Sequence, residues 1–316
     1  MKILIFNKIM NIKYNIIIFS QQNHSELLNY QVLTIPIARN HLKQKNNYIG
    51  IEACFEEQKI GFIFAQLFKN QTAQIFSLFV QEPFRKQKVG QTLFEHLIDL
   101  LVKEKKLVAV GFEYEDLFPE SLIIEKILAR QKNWHVPQPY LIRYYFDSYQ
   151  FDPSWLYLPF RPLETIEFFK WSDLTDKDHY ILQEMKQNNG IPPLLWPFRG
   201  EEKIEYRTSV GLRYKSQLVG WCVTHRLENT LRYSILYVQK NLQRFGYGIQ
   251  LLIESIKLHD QLMHGEDPIP LALFEVRPEQ INSTWARFIE KRLLPYAIKV
   301  SKKKWVVKFY NENILI

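Results

Sequence analysis

Leu236-Tyr237-Val238 runs through Gln239-Lys240-Asn241-Leu242 into Gln243-Arg244-Phe245-Gly246-Tyr247-Gly248, and Ile249 to His259 follows with apolar residues at helical spacing. This reads as a β-rich strand, a short loop and a helix. Gly246 and Gly248 remove side chains where a backbone must curl tightly or come close to a ligand. The result is a row of backbone N–H groups at a helix N-terminus, suited to a phosphate or pyrophosphate, with Arg244 adding a positive charge. No Lys-Ser or Lys-Thr follows the second glycine, which excludes a nucleotide-triphosphate P-loop.

Working outward, the same pattern occurs once more upstream. Gln71 to Val80 is β-rich, Pro83-Phe84-Arg85-Lys86-Gln87-Lys88-Val89-Gly90 forms the loop, and the next helix carries Val89, Leu93, Leu97, Leu100 and Leu101 on one face. Around each loop the order repeats: strand, helix, hairpin, strand, loop, helix, strand, helix, strand. In the first half these are Ile12–Phe19, a helical segment from His24, Tyr48–Phe55, Ile60–Phe68, Gln71–Val80, then Leu107–Tyr114, Glu120–Gln131 and Tyr140–Phe146. In the second they are Thr165–Lys170, a helix capped by Ser172 or Asp173 and running to Gln187, Tyr206–Tyr214, Leu218–His225 and Leu231–Val238, then Leu271–Val276, Asn282–Arg292 and Lys304–Phe309. Repetition of a whole fold is the main organisational signal. It divides the chain into residues 1–152, a proline-rich linker at 153–162, and residues 163–316. Lys302-Lys303-Lys304 lies between Val300-Ser301 and Trp305-Val306-Val307 and reads as a solvated hairpin tip.

Composition sets the outer limits. A chain of 316 residues with 47% hydrophobic and 23% charged residues can build two globular cores. Two cysteines, Cys54 and Cys222, exclude a disulfide framework and a cysteine-built metal site, and read as buried thiols of a reducing compartment. The net charge of +8 suits an anionic cosubstrate or partner. No dense basic run with interleaved aromatics points to nucleic acid. Met1 to Phe19 is interrupted by Lys2, Lys8 and Lys13, so it holds no apolar run of the ~20 residues that span a bilayer. Ser20-Gln21-Gln22-Asn23 is a poor signal-cleavage context, and Met10 is an alternative start. A cytoplasmic protein without a membrane span is expected.

With Gln243, Gly246 and Gly248, the downstream loop reads Q-x-x-G-x-G, which resembles the acyl-CoA pyrophosphate loop of the GNAT superfamily of N-acyltransferases. The chain as a whole resembles a tandem GNAT protein. The resemblance implies an α/β (α+β) fold with two GNAT-like domains, each a mixed, mostly antiparallel sheet with helices on both faces. It implies acetyl-CoA or a longer acyl-CoA as cosubstrate. The upstream loop matches through Arg85 and Gly90, but Lys88 stands at the first glycine. In this family the strand before the loop splays from its neighbour. That would place backbone groups of Tyr237 and Val238, or Phe79 and Val80, against the pantetheine arm as an added strand. The implied donor-binding set is thus Tyr237, Val238, Gln243, Arg244, Phe245, Gly246, Tyr247, Gly248 and Asn282 downstream, with Val80, Arg85, Lys88, Val89 and Gly90 upstream.

Acyl transfer from a thioester to an amine needs a proton acceptor and a stabilised oxyanion. Phe274-Glu275-Val276-Arg277 followed by Asn282 resembles the E-V-R…N segment of the ribosomal-protein alanine N-acetyltransferases. There the glutamate is general base and the asparagine helps to hold the CoA arm, which implies those roles for Glu275 and Asn282. The alternative for Glu275 is a strand carboxylate paired with Arg277 or an exposed neighbour. Those enzymes protonate the thiolate with a tyrosine where this chain has Ile289, so water or Tyr296 would serve, or the thiolate leaves unassisted. Glu113 and Glu115 read as a solvated strand end, and His225 as a satisfied polar residue. The expected function is transfer of an acetyl or longer acyl group to a primary amine of a small molecule or peptide. The downstream half is the expected catalytic unit. The alternative is a non-catalytic acyl-CoA-binding or partner-docking protein. Trp196, Phe198, Trp221 and Tyr237 either line an acyl channel or form core. The acceptor and the oligomeric state stay open.

Overall fold

Two long series of β-branched and aromatic runs, each followed by amphipathic helices, build the elements of the computed structural model, which describes residues 11–19, 24–117, 121–131 and 134–310. In chain order the first are β1 (Ile12–Phe19), α1 (His24–Leu27), β2 (Tyr48–Phe55), β3 (Gln58–Leu67), β4 (Thr72–Val80), α2 (Val89–Asp99), β5 (Ala109–Glu115) and α3 (Ser121–Arg130). Then come β6 (Gln138–Asp147), β7 (Ile166–Lys170), α4 (Asp176–Gln187), β8 (Val210–Tyr214), β9 (Gln217–Leu227) and β10 (Thr230–Val238). The last are α5 (Tyr247–Met263), β11 (Leu271–Val276), α6 (Ser283–Phe288) and β12 (Lys299–Phe309). The readings that fell on Met10 and on Ser20–Asn23 lie outside the described residues.

The chain forms two compact units, Met1–Tyr140 with Lys302–Ile316, and Leu141–Ser301. In the first, the strand order is β1-β2-β3-β4-β5 followed by β12, antiparallel except for β4 and β5. In the second it is β6-β11-β10-β9-β8-β7, with β10 and β11 the parallel pair. Each is a mixed, mostly antiparallel sheet. The compact units divide elsewhere than the linker at 153–162. Lys303–Phe309 registers on Ala109–Glu115, and Ile142–Asp147 registers on Leu271–Val276. Each unit is thus closed by the final strand of the other half of the sequence.

Both faces of each sheet are covered. In the first unit Phe19, Leu27, Tyr30, Leu42, Phe62 and Phe64 fill one side, and Leu93, Phe94, Leu97 and Ile127 pack against the other. This is why β2 buries six successive residues and does not alternate. In the second unit Trp171, Leu182, Trp221 and Ile235 form the α4 side, and Leu251, Leu252, Ile256 and Val276 the α5 side.

Three local readings are corrected. The cap of α4 is Thr175, whose side chain accepts from the Asp178 N–H while the Asp178 carboxylate accepts from the Thr175 N–H; neither Ser172 nor Asp173 caps it. Lys302–Lys304 lies inside β12 and forms no hairpin tip, because acidic residues of β5 and α3 meet its side chains: Lys303 pairs with Glu113, and Lys304 with Glu125 at 2.7 Å. For the same reason Glu113 is no solvated residue, and Glu115 is buried.

Candidate functional site

The pairing of β10 with β11 ends early. Thr230–Tyr233 run parallel to Leu271–Phe274, and beyond Tyr233 no residue of β10 registers on β11. Against β9 the register slips between Tyr233 and Ile235, which leaves Ser234 as an extra residue in a β-bulge. A bulge bends its strand, so β10 turns away from β11 and opens a V whose apex lies at Tyr233 and Phe274. The first unit repeats this. Thr72–Ile75 pair with Ala109–Phe112, and the slip against β3 leaves Phe76 as the extra residue.

At the open end of each V stands a glycine-type loop. Gly246, at φ +79°, is the N-cap of α5, and Lys88, at φ +65°, is the N-cap of α2. No side chain caps either helix. The first intrahelical bonds are Gln250 N–H to Gly246 O and Thr92 N–H to Lys88 O, so the N–H groups of Tyr247, Gly248 and Ile249, and of Val89, Gly90 and Gln91, precede the ladder. A Cβ at Gly246 would meet nothing within 4 Å, so the space in front of the loop is open and the left-handed backbone is what glycine serves there. Gln243 and Arg85 stand at equivalent places and do the same work. Gln243 Nε2 donates to Val238 O at 2.8 Å and Arg85 Nε to Val80 O at 2.9 Å, each tying its loop to the last residue of the strand.

The remaining expected donor-site residues are distributed as follows. Tyr237 stacks on Trp221 at 4.5 Å, and burial pushes its phenol up. Val238 and the Tyr247 side chain are buried, so Tyr247 offers only its backbone. Arg244 and Phe245 are exposed, the guanidinium 5.0 Å from the ring centroid. Val89 is buried in the first core. Asn282 caps α6, its Oδ1 accepting from Thr284 and Trp285 N–H. Met185, Gly190, Tyr237, Gln239, Lys240 and Asn241 line an open cleft of about 620 Å³ on the α4 side of β10.

Glu275 sits one residue past the apex, on the same face as Tyr237. Its Oε1 accepts from Arg143 Nε at 2.7 Å, and its Oε2 lies 3.5 Å from Arg232 Nη1. It is therefore ion-paired, with arginines of β6 and β10 and not with Arg277, which lies beside Glu279. His225 extends the row. Its Nε2 is 2.9 Å from Arg199 O, its Nδ1 is buried without a partner among the described residues, and burial holds its imidazole below the ordinary value, reinforced by Arg232. Ile289 is core, and Tyr296 packs edge-on against Phe151 at 5.7 Å. Of the four aromatics read as channel or core, Trp221 is fully buried, and Trp196, Phe198 and Tyr237 pack against its cluster.

Sequence reading passed over a second group. At the upstream apex Glu113 stands where Glu275 stands downstream, paired with Lys303 and with the Tyr140 hydroxyl within reach. His41 stacks on the bulge residue Phe76 at 3.7 Å, its Nδ1 buried without a partner among the described residues. Burial would raise the Glu113 carboxyl, but Lys303 holds it below its usual range. The one available signal was the matching Phe112-Glu113 and Phe274-Glu275 dipeptides.

A model of the acetyltransferase (GNAT) family matches residues 17–115. Among solved structures, the chain resembles a tandem GNAT protein from the clavulanic acid biosynthesis pathway, at 12% identity and a TM-score of 0.60, over 93% of this chain and 98% of that one. It also resembles a GCN5-related N-acetyltransferase from Sphaerobacter thermophilus, at 10% identity and a TM-score of 0.56, over 96% and 98% of the two chains. At these identities the likeness is one of fold. No curated protein sequence matches the chain significantly. No helix among the described residues is long and apolar enough to cross a membrane.

Proposed function

We propose that the chain is a tandem GNAT-superfamily protein that transfers an acyl group from acyl-CoA to a primary amine, with the downstream half as the catalytic unit. The observation that carries this is the parted β10–β11 pair ending on a left-handed helix N-cap with open space before it. The residues present fit a CoA thioester. The N–H groups of Tyr247, Gly248 and Ile249, with Arg244 beside them, would take the pyrophosphate. The edge of β10 from Ser234 to Val238, which has no strand partner on the β11 side, would bond the pantetheine arm as a strand does. That leads the thioester to the apex, where Glu275 is the carboxylate at hand.

Glu275 would take the first proton of the acceptor ammonium. The amine nitrogen then bonds to the thioester carbonyl carbon, the C–S bond breaks, and the electron pair leaves on sulfur. The nitrogen gives up its second proton to solvent, and the thiolate, a fair leaving group at a thiol pKa of ~8.5, takes one from it, so no dedicated acid at Ile289 is required. Upstream, Lys88 presents its backbone as Gly246 does, but Glu113 is closed by Lys303, and we assign that half a supporting role. The free thiols Cys54 and Cys222 suit a reducing cytoplasm.

The ion pairing of Glu275 favours a second reading, a non-catalytic protein that binds acyl-CoA. One experiment separates the two. Native mass spectrometry with CoA, acetyl-CoA and palmitoyl-CoA is run beside an assay of thiol release with a panel of amines. Added CoA mass that Gly246→Trp removes, together with thiol release, supports the transferase. Added mass without release supports the binding protein. No added mass sinks both.

A further inference from the structure

Four charged or titratable side chains lie side by side across the downstream sheet. Arg232 registers on His225 of β9 and on Leu273 of β11, and Glu275, two residues beyond Leu273, registers on Arg143 of β6. All face the α4 side, the side of Trp221 and Tyr237. Arg199, at the end of the irregular loop over this face, is held there because its carbonyl bonds His225 Nε2. Gly200 follows in the left-handed conformation, and a Cβ in its place would lie 3.5 Å from the same ring.

Among the described residues the charges at this site do not balance. Arg199 and Arg232 have Glu275 as the one carboxylate of the row, and Glu275 is shared with Arg143. Glu202, the other carboxylate near His225, is exposed and lies against Lys203. Glu275 gives its short contact to Arg143 and leaves Arg232 at 3.5 Å, beyond an ordinary charged hydrogen bond. Arg232 is otherwise held only through Nε, which donates to the bulge residue Ser234 at 2.8 Å, and its Nη2 has no partner among the described residues. Yet its side chain is only 27% exposed. Burial, with Arg199 and Arg143 close by, holds its guanidinium below the ordinary value against the pull of Glu275. Arg199 is exposed and has no ion-pair partner among the described residues. A mostly buried charge that lacks its full complement of opposite charge is costly unless an anion completes it.

We propose that the downstream half takes an amine acceptor that also carries an oxyanion, a carboxylate or a phosphate, held by Arg232 and Arg199 beside Glu275. This rests on the acyl-transfer reading for what happens to the amine. Arginine's planar fork matches either oxyanion in two-point fashion, which fixes orientation as well as charge. The arrangement also answers how an ion-paired glutamate accepts a proton. An oxyanion that draws Arg232 to itself leaves Glu275 Oε2 without its weaker partner. The ammonium of the same molecule then becomes the cation next to that oxygen. An amine with no oxyanion leaves Arg232 where it is.

The test uses the whole chain saturated with CoA, titrated calorimetrically with glycine, β-alanine and phosphoethanolamine, and with glycinamide, β-alaninamide and ethanolamine as counterparts that keep the ammonium and lack the oxyanion. Thiol release from acetyl-CoA is measured on the same six. The expected result is binding of one or more oxyanion-bearing amines, at least about tenfold tighter than the counterpart. Arg199→Gln and Arg232→Gln each remove most of that preference. The carboxylate and phosphate arms tell the two sources apart. Arg199 lies on an exposed loop, so its variant keeps the fold even if the Arg232 variant does not. Equal binding of amines with and without the oxyanion, or a preference that survives Arg199→Gln and a folded Arg232→Gln, overturns the inference while acyl transfer stands. Arginine-dependent binding without thiol release for any acceptor leaves the anion site in place and removes the transferase reading.

Discussion

Gly246 and Lys88 occupy the same left-handed step before their helices, and the chain takes that step once with glycine and once without. An L-residue there costs about 1–2 kcal/mol from the approach of Cβ to the next carbonyl. Since a Cβ at Gly246 would touch nothing, Gly246→Ala isolates that backbone term: it is expected to cost about 1 kcal/mol in urea unfolding. Lys88→Gly is expected to be neutral or to stabilise by less than that, because glycine also gains entropy in the unfolded chain. A Gly246→Ala variant as stable as the parent would show that the loop relaxes out of the left-handed region. At this scale the sequence was legible where a residue type has one use. Gly246 is such a residue. Arg85 and Gln243 were readable as loop residues, but their bonds to Val80 and Val238 follow from the way the loop folds back on the strand.

The helix α4 shows what a local motif and a distant partner each contribute. Thr175 and Asp178 form a capping box, and Asp178, 1% exposed, also accepts from Arg213 Nη2 at 2.7 Å. Burial would raise this carboxyl, but Arg213 and Thr175 hold it below the usual range. Thr175→Ala is expected to cost about 1 kcal/mol, the ordinary worth of such a cap. Asp178→Ala also takes from Arg213 its buried carboxylate, leaving it Glu167 at 3.1 Å and the Asp173 carbonyl, and should cost more than the cap alone, about 2–3 kcal/mol, below the full loss of a buried pair. Thermal or urea melts of the two variants check the ranking, and equal losses would mean that Glu167 and the Asp173 carbonyl satisfy Arg213. Ser172 and Asp173 looked equally good as caps in the sequence. Thr175 wins because the short helical turn at Trp171–Asp173 ends in extended backbone at Leu174, so the true helix starts later.

For the molecule as a whole, the exchanged strands and the buried histidines have the widest consequences. Residues 1–152 lack the strand that closes β5, and residues 163–316 lack the strand that closes β11. Expressed alone, each fragment is expected to be insoluble or unfolded by circular dichroism, since it exposes an unpaired central edge; co-expressed, they should purify together. Two soluble, cooperatively folding fragments would contradict this. His41, His225 and His259 all have their imidazoles held below the ordinary 6.5, in each case first by burial. A histidine depressed in the folded state binds fewer protons there than in the unfolded chain. Its contribution is fully present above pH 6.5 and is lost as pH falls through the lowered folded value. Urea midpoints should therefore fall from pH 7 to pH 5, before the carboxylates titrate, and a flat profile across that range would show the three rings to be hydrated.

The sequence by itself determined the element order, the repeat and the two loops, because strand alternation, helical periodicity and the demand for glycine at a left-handed step are local and act within about ten residues. The resemblance of those loops to the GNAT pattern then carried the fold. Only the tertiary structure decided which strand closes which sheet and what each apex glutamate meets. Glu275 finds Arg143 from 132 positions away, and Glu113 finds Lys303 across most of the chain. Pairings of that kind depend on which edge a returning strand reaches and which side chains share its face. The lysine run shows the limit: three charges in a row look solvated until a neighbouring strand supplies carboxylates, and nothing within Lys302-Lys303-Lys304 says that Glu113 and Glu125 will be beside them.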